Sequence, residues 1–114
     1  MKARVKVDAG VCGFKTLITA VTDDGMNVDL KIGSDCDTIK ELASRFQGKT
    51  PINAYQSISP EKESDILTIS RTALRKKGCC EACAVPPAVC KAVYVAAGLA
   101  LPRNVSMEIT TVQE

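Results

Sequence analysis

Ala3, Val5 and Val7 alternate with Lys2, Arg4, Lys6 and Asp8, the two-residue period of a strand with one buried face. A glycine-flanked loop follows, Ala9-Gly10-Val11-Cys12-Gly13. Residues 14–22 are rich in Thr, Ile, Leu and Val and predict a second strand. Asp23-Asp24-Gly25 is a turn signal. Beyond it Met26, Val28, Leu30 and Ile32 alternate with Asn27, Asp29 and Lys31. The three runs predict an antiparallel meander.

The period then changes. Gly33-Ser34-Asp35 opens a helix, with Ser34 or Asp35 as its cap and Asp37 or Thr38 in its first turn. Ile39, Leu42, Ala43 and Phe46 fall on one helical face, and Gln47-Gly48 ends it. Residues 49–59 read as a loop broken by Pro51. Ser59-Pro60-Glu61 has the form of a second helix start, proline taking the first helical position. Its stripe is Ile66, Leu67, Ile69, Ala73 and Leu74, and Arg75, Lys76, Lys77 and Gly78 suit its end. A strand over Ile66–Ile69 is the rival reading, because Ile-Leu-Thr-Ile is also β-prone. Pro86-Pro87 begins a third helix reaching about Ala97, with Gly98 as its stop. Val105, Met107, Ile109 and Thr111 alternate with Ser106, Glu108 and Thr110 and predict a closing strand. The expected order is β-β-β-α-α-α-β: a single α+β domain over 1–114, its antiparallel or mixed four-stranded sheet covered by helices on one face.

The 114 residues, 46% hydrophobic and 25% charged, suffice for a core that needs no disulfide framework. The net charge is +2, and acidic and basic residues are spread over both halves. No basic arm or aromatic stacking pattern is present, which disfavours nucleic acid as a partner. Histidine is absent, which excludes Ser-His-Asp and Cys-His catalysis and any His-held zinc or haem. Residues 82–102 carry one charge, Lys91, but the apolar run after it is too short for a membrane span and reads as a buried helix. The first residues lack the continuous apolar stretch of a secretory signal, so the expected compartment is the cytoplasm, where thiols stay reduced.

Six cysteines in a reducing compartment favour metal or redox chemistry over disulfides. The strongest feature is Gly78-Cys79-Cys80-Glu81-Ala82-Cys83, in which Cys80 and Cys83 have the Cys-x2-Cys spacing that turns two sulfurs toward one ion. A full site needs two more thiolates. Cys12 is one candidate, in a loop where Gly10 and Gly13 let backbone amides approach a ligand. Cys36 is the other, in the first turn of the first helix, where the helix N-terminus favours a thiolate. The expected ligand set is Cys12, Cys36, Cys80 and Cys83, with Cys79 able to replace Cys80. Cys90 sits within an apolar helix and reads as a core residue. Arg71, Arg75, Lys76 and Lys77 precede the cluster and would offset the negative charge of four metal-bound thiolates, although a basic helix end also completes the macrodipole. Scattered single ligands plus one close pair favour an iron–sulfur cluster over zinc, whose structural sites usually show two Cys-x2-Cys knuckles.

The run from Cys83 to Val105, Cys-Ala-Val-Pro-Pro-Ala-Val-Cys-Lys-Ala-Val-Tyr-Val-Ala-Ala-Gly-Leu-Ala-Leu-Pro-Arg-Asn-Val, with the Val11-Cys12-Gly13 loop, resembles a family of small cysteine-containing proteins of methanogenic archaea and other strict anaerobes. That family has no assigned activity. The resemblance implies an anaerobic cytoplasm, where exposed clusters survive. Three functional classes follow. The first is a non-catalytic metal-binding module for electron transfer, metal or sulfur delivery, or sensing, with a protein or redox partner. The second is a thiol enzyme or sulfur carrier using Cys12 or Cys36. The third is an interaction adaptor using the basic helix end.

Overall fold

The computed structural model describes residues 1–76, 78 and 80–113. Cys79 and Lys77, both named above, lie outside the described residues. Three strands form the meander: β1 (Lys2–Asp8), β2 (Lys15–Val21) and β3 (Asn27–Ser34), neighbours in that order and antiparallel throughout. The register places Ala3 against Ala20 and Val5 against Ile18, and then Ile18 against Ile32 and Ala20 against Leu30. All of these side chains therefore share one face. The opposite face carries Lys2, Arg4, Lys6, Lys15, Lys31 and Asp29, and it is open.

The inward face is covered by helices. α1 (Asp37–Gln47) buries Ile39, Leu42 and Phe46, the stripe its spacing predicts. After it comes β4 (Ile52–Asn53), which pairs antiparallel with the start of β3. It leads into α2 (Ala54–Ile58), capped by the Asn53 side chain, whose oxygen accepts from the Tyr55 and Gln56 amides at 3.0 and 3.2 Å. α3 (Asp65–Leu74) and α4 (Val85–Ala96) complete the layer. Most of α4 is buried, and it lies across β1 and β2. Phe46, Ile18, Leu42, Ile66, Val89 and Val93 form the innermost core. Each large apolar side chain removed from water there contributes about 1.5–3 kcal/mol.

The α+β class, the antiparallel four-stranded sheet and the helical layer agree with the sequence reading. Three details do not. The fourth strand is Ile52–Asn53, inside the expected 49–59 loop, and not residues 105–111, which are exposed and outside any strand. The alternation there is real, but the segment leaves the body without a sheet edge beside it. The second expected helix begins at Asp65 and not at Ser59. Residues 61–63 have no apolar face to bury, and the Ser64 carbonyl accepts the first helical bond from Thr68 at 2.9 Å. Ile66–Ile69 is helical, so its β-propensity is overridden by the apolar stripe. The cap of α1 is Cys36 itself, not Ser34 or Asp35. α4 ends as expected. Gly98 takes φ +77°, and the Leu99 and Gly98 amides bond back to Tyr94 and Val95 in a Schellman motif.

Candidate functional site

Antiparallel pairing brings Cys12 and Cys36 to one end of the sheet. Asp8, the last residue of β1, pairs with Lys15, and Thr16 pairs with Ser34 at the end of β3. The β1–β2 connection and the β3–α1 junction are therefore neighbours. The connection contains a 3-10 turn, Gly10–Cys12, held by Gly10 N–H donating to Asp8 Oδ1 at 3.1 Å and by Gly13 N–H donating to the Gly10 carbonyl at 2.9 Å. Gly10 and Gly13 both have positive φ, +77° and +71°, which a side chain would strain. Cys12 stands exposed at the end of that turn.

Cys36 is anchored differently. Its backbone N–H donates to Ser34 Oγ at 3.1 Å, and Ser34 Oγ also receives the Thr16 hydroxyl at 2.8 Å. The Cys36 carbonyl then accepts the first helical bond of α1 from Lys40 at 2.9 Å. The side chain is half-buried against the core.

The third contribution comes from the chain before α4. Gly98, just past the end of α4, lies against Met1, where an added Cβ would meet the Met1 Cε at 3.8 Å. α4 thus ends at the start of β1. A 12-residue helix spans about 18 Å and a seven-residue strand about 23 Å, so α4 begins near the Asp8 end of β1. The Cys80–Ala82 turn, closed by Cys83 N–H donating to the Cys80 carbonyl at 3.2 Å, leads into α4 and packs against α3. Cys80 and Cys83 are both half-buried.

The electrostatics agree with this placement. Burial pushes the Cys83 thiol up, and the charges of Cys12, Cys36 and Cys80 push it further in the same direction; a hydrogen bond from the Val85 amide opposes them. All three other expected ligands are therefore within electrostatic reach of Cys83. Among the described residues, however, no three His, Cys, Asp or Glu side chains stand in a metal-holding group. The register sets the segments carrying Cys12 and Cys36 side by side, and the four expected ligands form no metal-holding group among the described residues.

Cys90 lies apart, buried in α4, its thiol pushed up mainly by burial, with the nearby Tyr94 opposing that rise. Of the cations expected around the cluster, Arg75 lines a shallow depression with Arg71, Leu67, Glu81, Pro86 and Cys83. Lys76 is engaged by Glu41 of α1 at 3.4 Å, and Arg71 pairs with Glu63. Glu41, held also by Arg45, is pulled below the usual carboxylate range by these partners. The sequence reading took Ser34 for a helix cap and gave Thr16 no part; both prove to fix Cys36. Alternation puts both on the inward side of their strands, but their contact follows only from the β2–β3 register.

No helix among the described residues is long and apolar enough to cross a membrane. No curated protein and no solved structure matches the chain. A model described as a family of unknown function (DUF6951) matches residues 3–109, nearly the whole sequence, and the chain belongs to that family.

Proposed function

We propose that this protein is a small metal-binding module whose ligands are Cys12, Cys36, Cys80 and Cys83. The observation that supports the reading is the sheet register, which sets the Cys12 turn beside the Cys36 junction, with the Cys80–Cys83 turn leading into α4 nearby in the chain. Negative charge on the neighbouring sulfurs opposes ionisation of Cys83, because like charges repel. A bound cation reverses that relation and makes the crowding favourable. The open turns carrying Cys12 and Cys80 are the parts that close on the metal, while Cys36, tied to the sheet through Ser34, supplies the fixed point.

An iron–sulfur cluster is the preferred occupant and zinc the second. The ligand set is all sulfur, which suits both. A cluster spans more space than a single ion, and it suits thiols that are gathered but not arranged around one point. The positive-φ glycines on either side of Cys12 leave open space above the backbone, through which amides can reach cluster sulfides. Arg75, beside Cys83, offsets the excess negative charge of either occupant. The role is electron transfer, cluster or metal delivery, or sensing, with a protein partner.

Cobalt(II) titration of the reduced, metal-free protein tests the ligand set. Four converging thiolates give one equivalent of tetrahedral cobalt with intense sulfur-to-metal absorption, lost in C36S and C83S and kept in C90S. Weak absorption typical of one or two sulfurs, or a signal equal in all variants, contradicts the reading.

A further inference from the structure

The segment after α4 is apolar and uncovered. Leu101, Val105, Met107, Ile109 and Val112 are all exposed, Ile109 at 88%. Residues 101–113 lie in no helix or strand, and the molecule is drawn out to 50 Å along one axis against 28 and 27 Å along the others. The segment nevertheless has the alternation of a half-buried strand, with Val105, Met107 and Ile109 on one side and Ser106, Glu108 and Thr110 on the other.

The sheet has an edge of matching character. Among the described residues β1 has a strand neighbour on one side only, so half of its N–H and C=O groups have no strand partner there. Its helix-facing side chains are Ala3, Val5 and Val7, of which Val5 and Val7 are only partly covered. Its open side carries Lys2, Arg4 and Lys6. A strand added here with Val105, Met107 and Ile109 toward the helices places Glu108 among those three cations. In the register that sets Met107 beside Val5, antiparallel addition puts Glu108 opposite Arg4, and parallel addition puts it opposite Lys6. The other long strand presents Asp29 and Lys31 on its open side and offers no such complementarity.

We propose that residues 104–110 add as a strand to β1 of a second copy of this chain, the two copies exchanging segments reciprocally. The chain leaves the body beside Met1, at the start of its own β1, and yet projects away from it. A reciprocal exchange satisfies both exposed edges and covers both apolar segments in one closed two-fold assembly.

Sedimentation of the full chain, with hydrogen exchange followed at residues 104–110, tests this. The expected result is a dimer with those amides protected. M107K/I109K alters no contact of the body, so it keeps the fold and raises the dimer dissociation constant by about 100-fold or more. E108K weakens the dimer several-fold, and the loss is restored by R4E for antiparallel or by K6E for parallel addition. A monomer at high concentration overturns the proposal, whether its segment is unprotected or protected on its own β1. So does a dimer indifferent to M107K/I109K, or an E108K loss that neither partner reversal restores. None of these readouts involves a metal, so failure here leaves the proposed function standing, and the converse holds.

Discussion

The hydroxyl of Thr16 donates to Ser34 Oγ across 2.8 Å, and Ser34 Oγ accepts in turn from the Cys36 amide at 3.1 Å. The two residues face each other in the β2–β3 register, so the position of a candidate ligand is set by the sheet itself. S34A removes the acceptor for the Cys36 amide and the partner of the Thr16 hydroxyl while leaving every thiol in place. The S34A protein is expected to keep the fold and lose about tenfold in metal affinity, the scale typical for groups that orient ligands. Competition with a chromophoric chelator measures it. Unchanged affinity would show that Cys36 needs no such anchor.

The cysteines divide into two sets that behave oppositely. C12S, C36S, C80S and C83S should each lower metal content below one site per chain while leaving stability of the metal-free protein nearly unchanged. C90A should retain full metal and cost about 1 kcal/mol in urea unfolding, through lost packing within α4. Loss of metal in C90A, or full metal in C83S, reverses the assignment.

Tyr94 ties α4 to α2 by donating its hydroxyl to the Ser57 carbonyl at 3.1 Å. Burial first, and then the neighbouring Cys90, push its phenol up to about 12. The folded state thus favours the neutral phenol. Its contribution is full below the unfolded value, roughly 10, and is lost as pH rises toward 12. The raised thiols of Cys83 and Cys90 have the same sign and begin to act from about 8.5. Stability of the metal-free protein should therefore fall steadily from about pH 9 upward, and Y94F should show a shallower fall at the alkaline end and cost about 1 kcal/mol at neutral pH. Chemical unfolding at a series of pH values reads both.

Acid acts on the β2–β3 turn. Asp24 accepts from the Met26 and Asn27 amides at 2.9 and 2.8 Å, from Asn27 Nδ2 at 3.0 Å and from the Thr22 hydroxyl at 3.1 Å. The backbone bonds, led by that from Asn27, hold its carboxyl far below the usual carboxylate range. The stabilisation is present above the unfolded value of about 3.9 and disappears as pH falls below it. D24A should lower the melting temperature at pH 7 and flatten its decline as pH falls below about 4. An unchanged acid decline would place the responsible carboxylate elsewhere.

The meander was legible because each of its strands carries a clean two-residue period on one side. α1 and α4 were legible because their apolar stripes and punctuation, Gly48 and Pro86 with Gly98, agree. β4 and α2 were not. Two paired residues and five helical ones are too short to establish a period, and Asn53 serves as strand residue and helix cap at once. The alternation over 105–111 led to a strand because periodicity reports the environment a segment suits, not whether its own chain supplies that environment. The candidate ligands were legible as residue types and spacings. Where they lie relative to one another depends on register and on the direction of α4, which no local pattern contains. Thr16 and Ser34 were hidden for the same reason: their contact exists only once β2 and β3 are aligned.

The most direct test of the central claim is anaerobic purification of the full chain followed by its visible spectrum and elemental analysis for iron, zinc and acid-labile sulfide. Broad visible absorption with iron and sulfide in matching amounts is the expected result, and colourless protein with one zinc per chain retains the four-thiol site with its second occupant. Colourless, metal-free protein with all six thiols titratable, which takes up neither metal on reconstitution, would contradict the account.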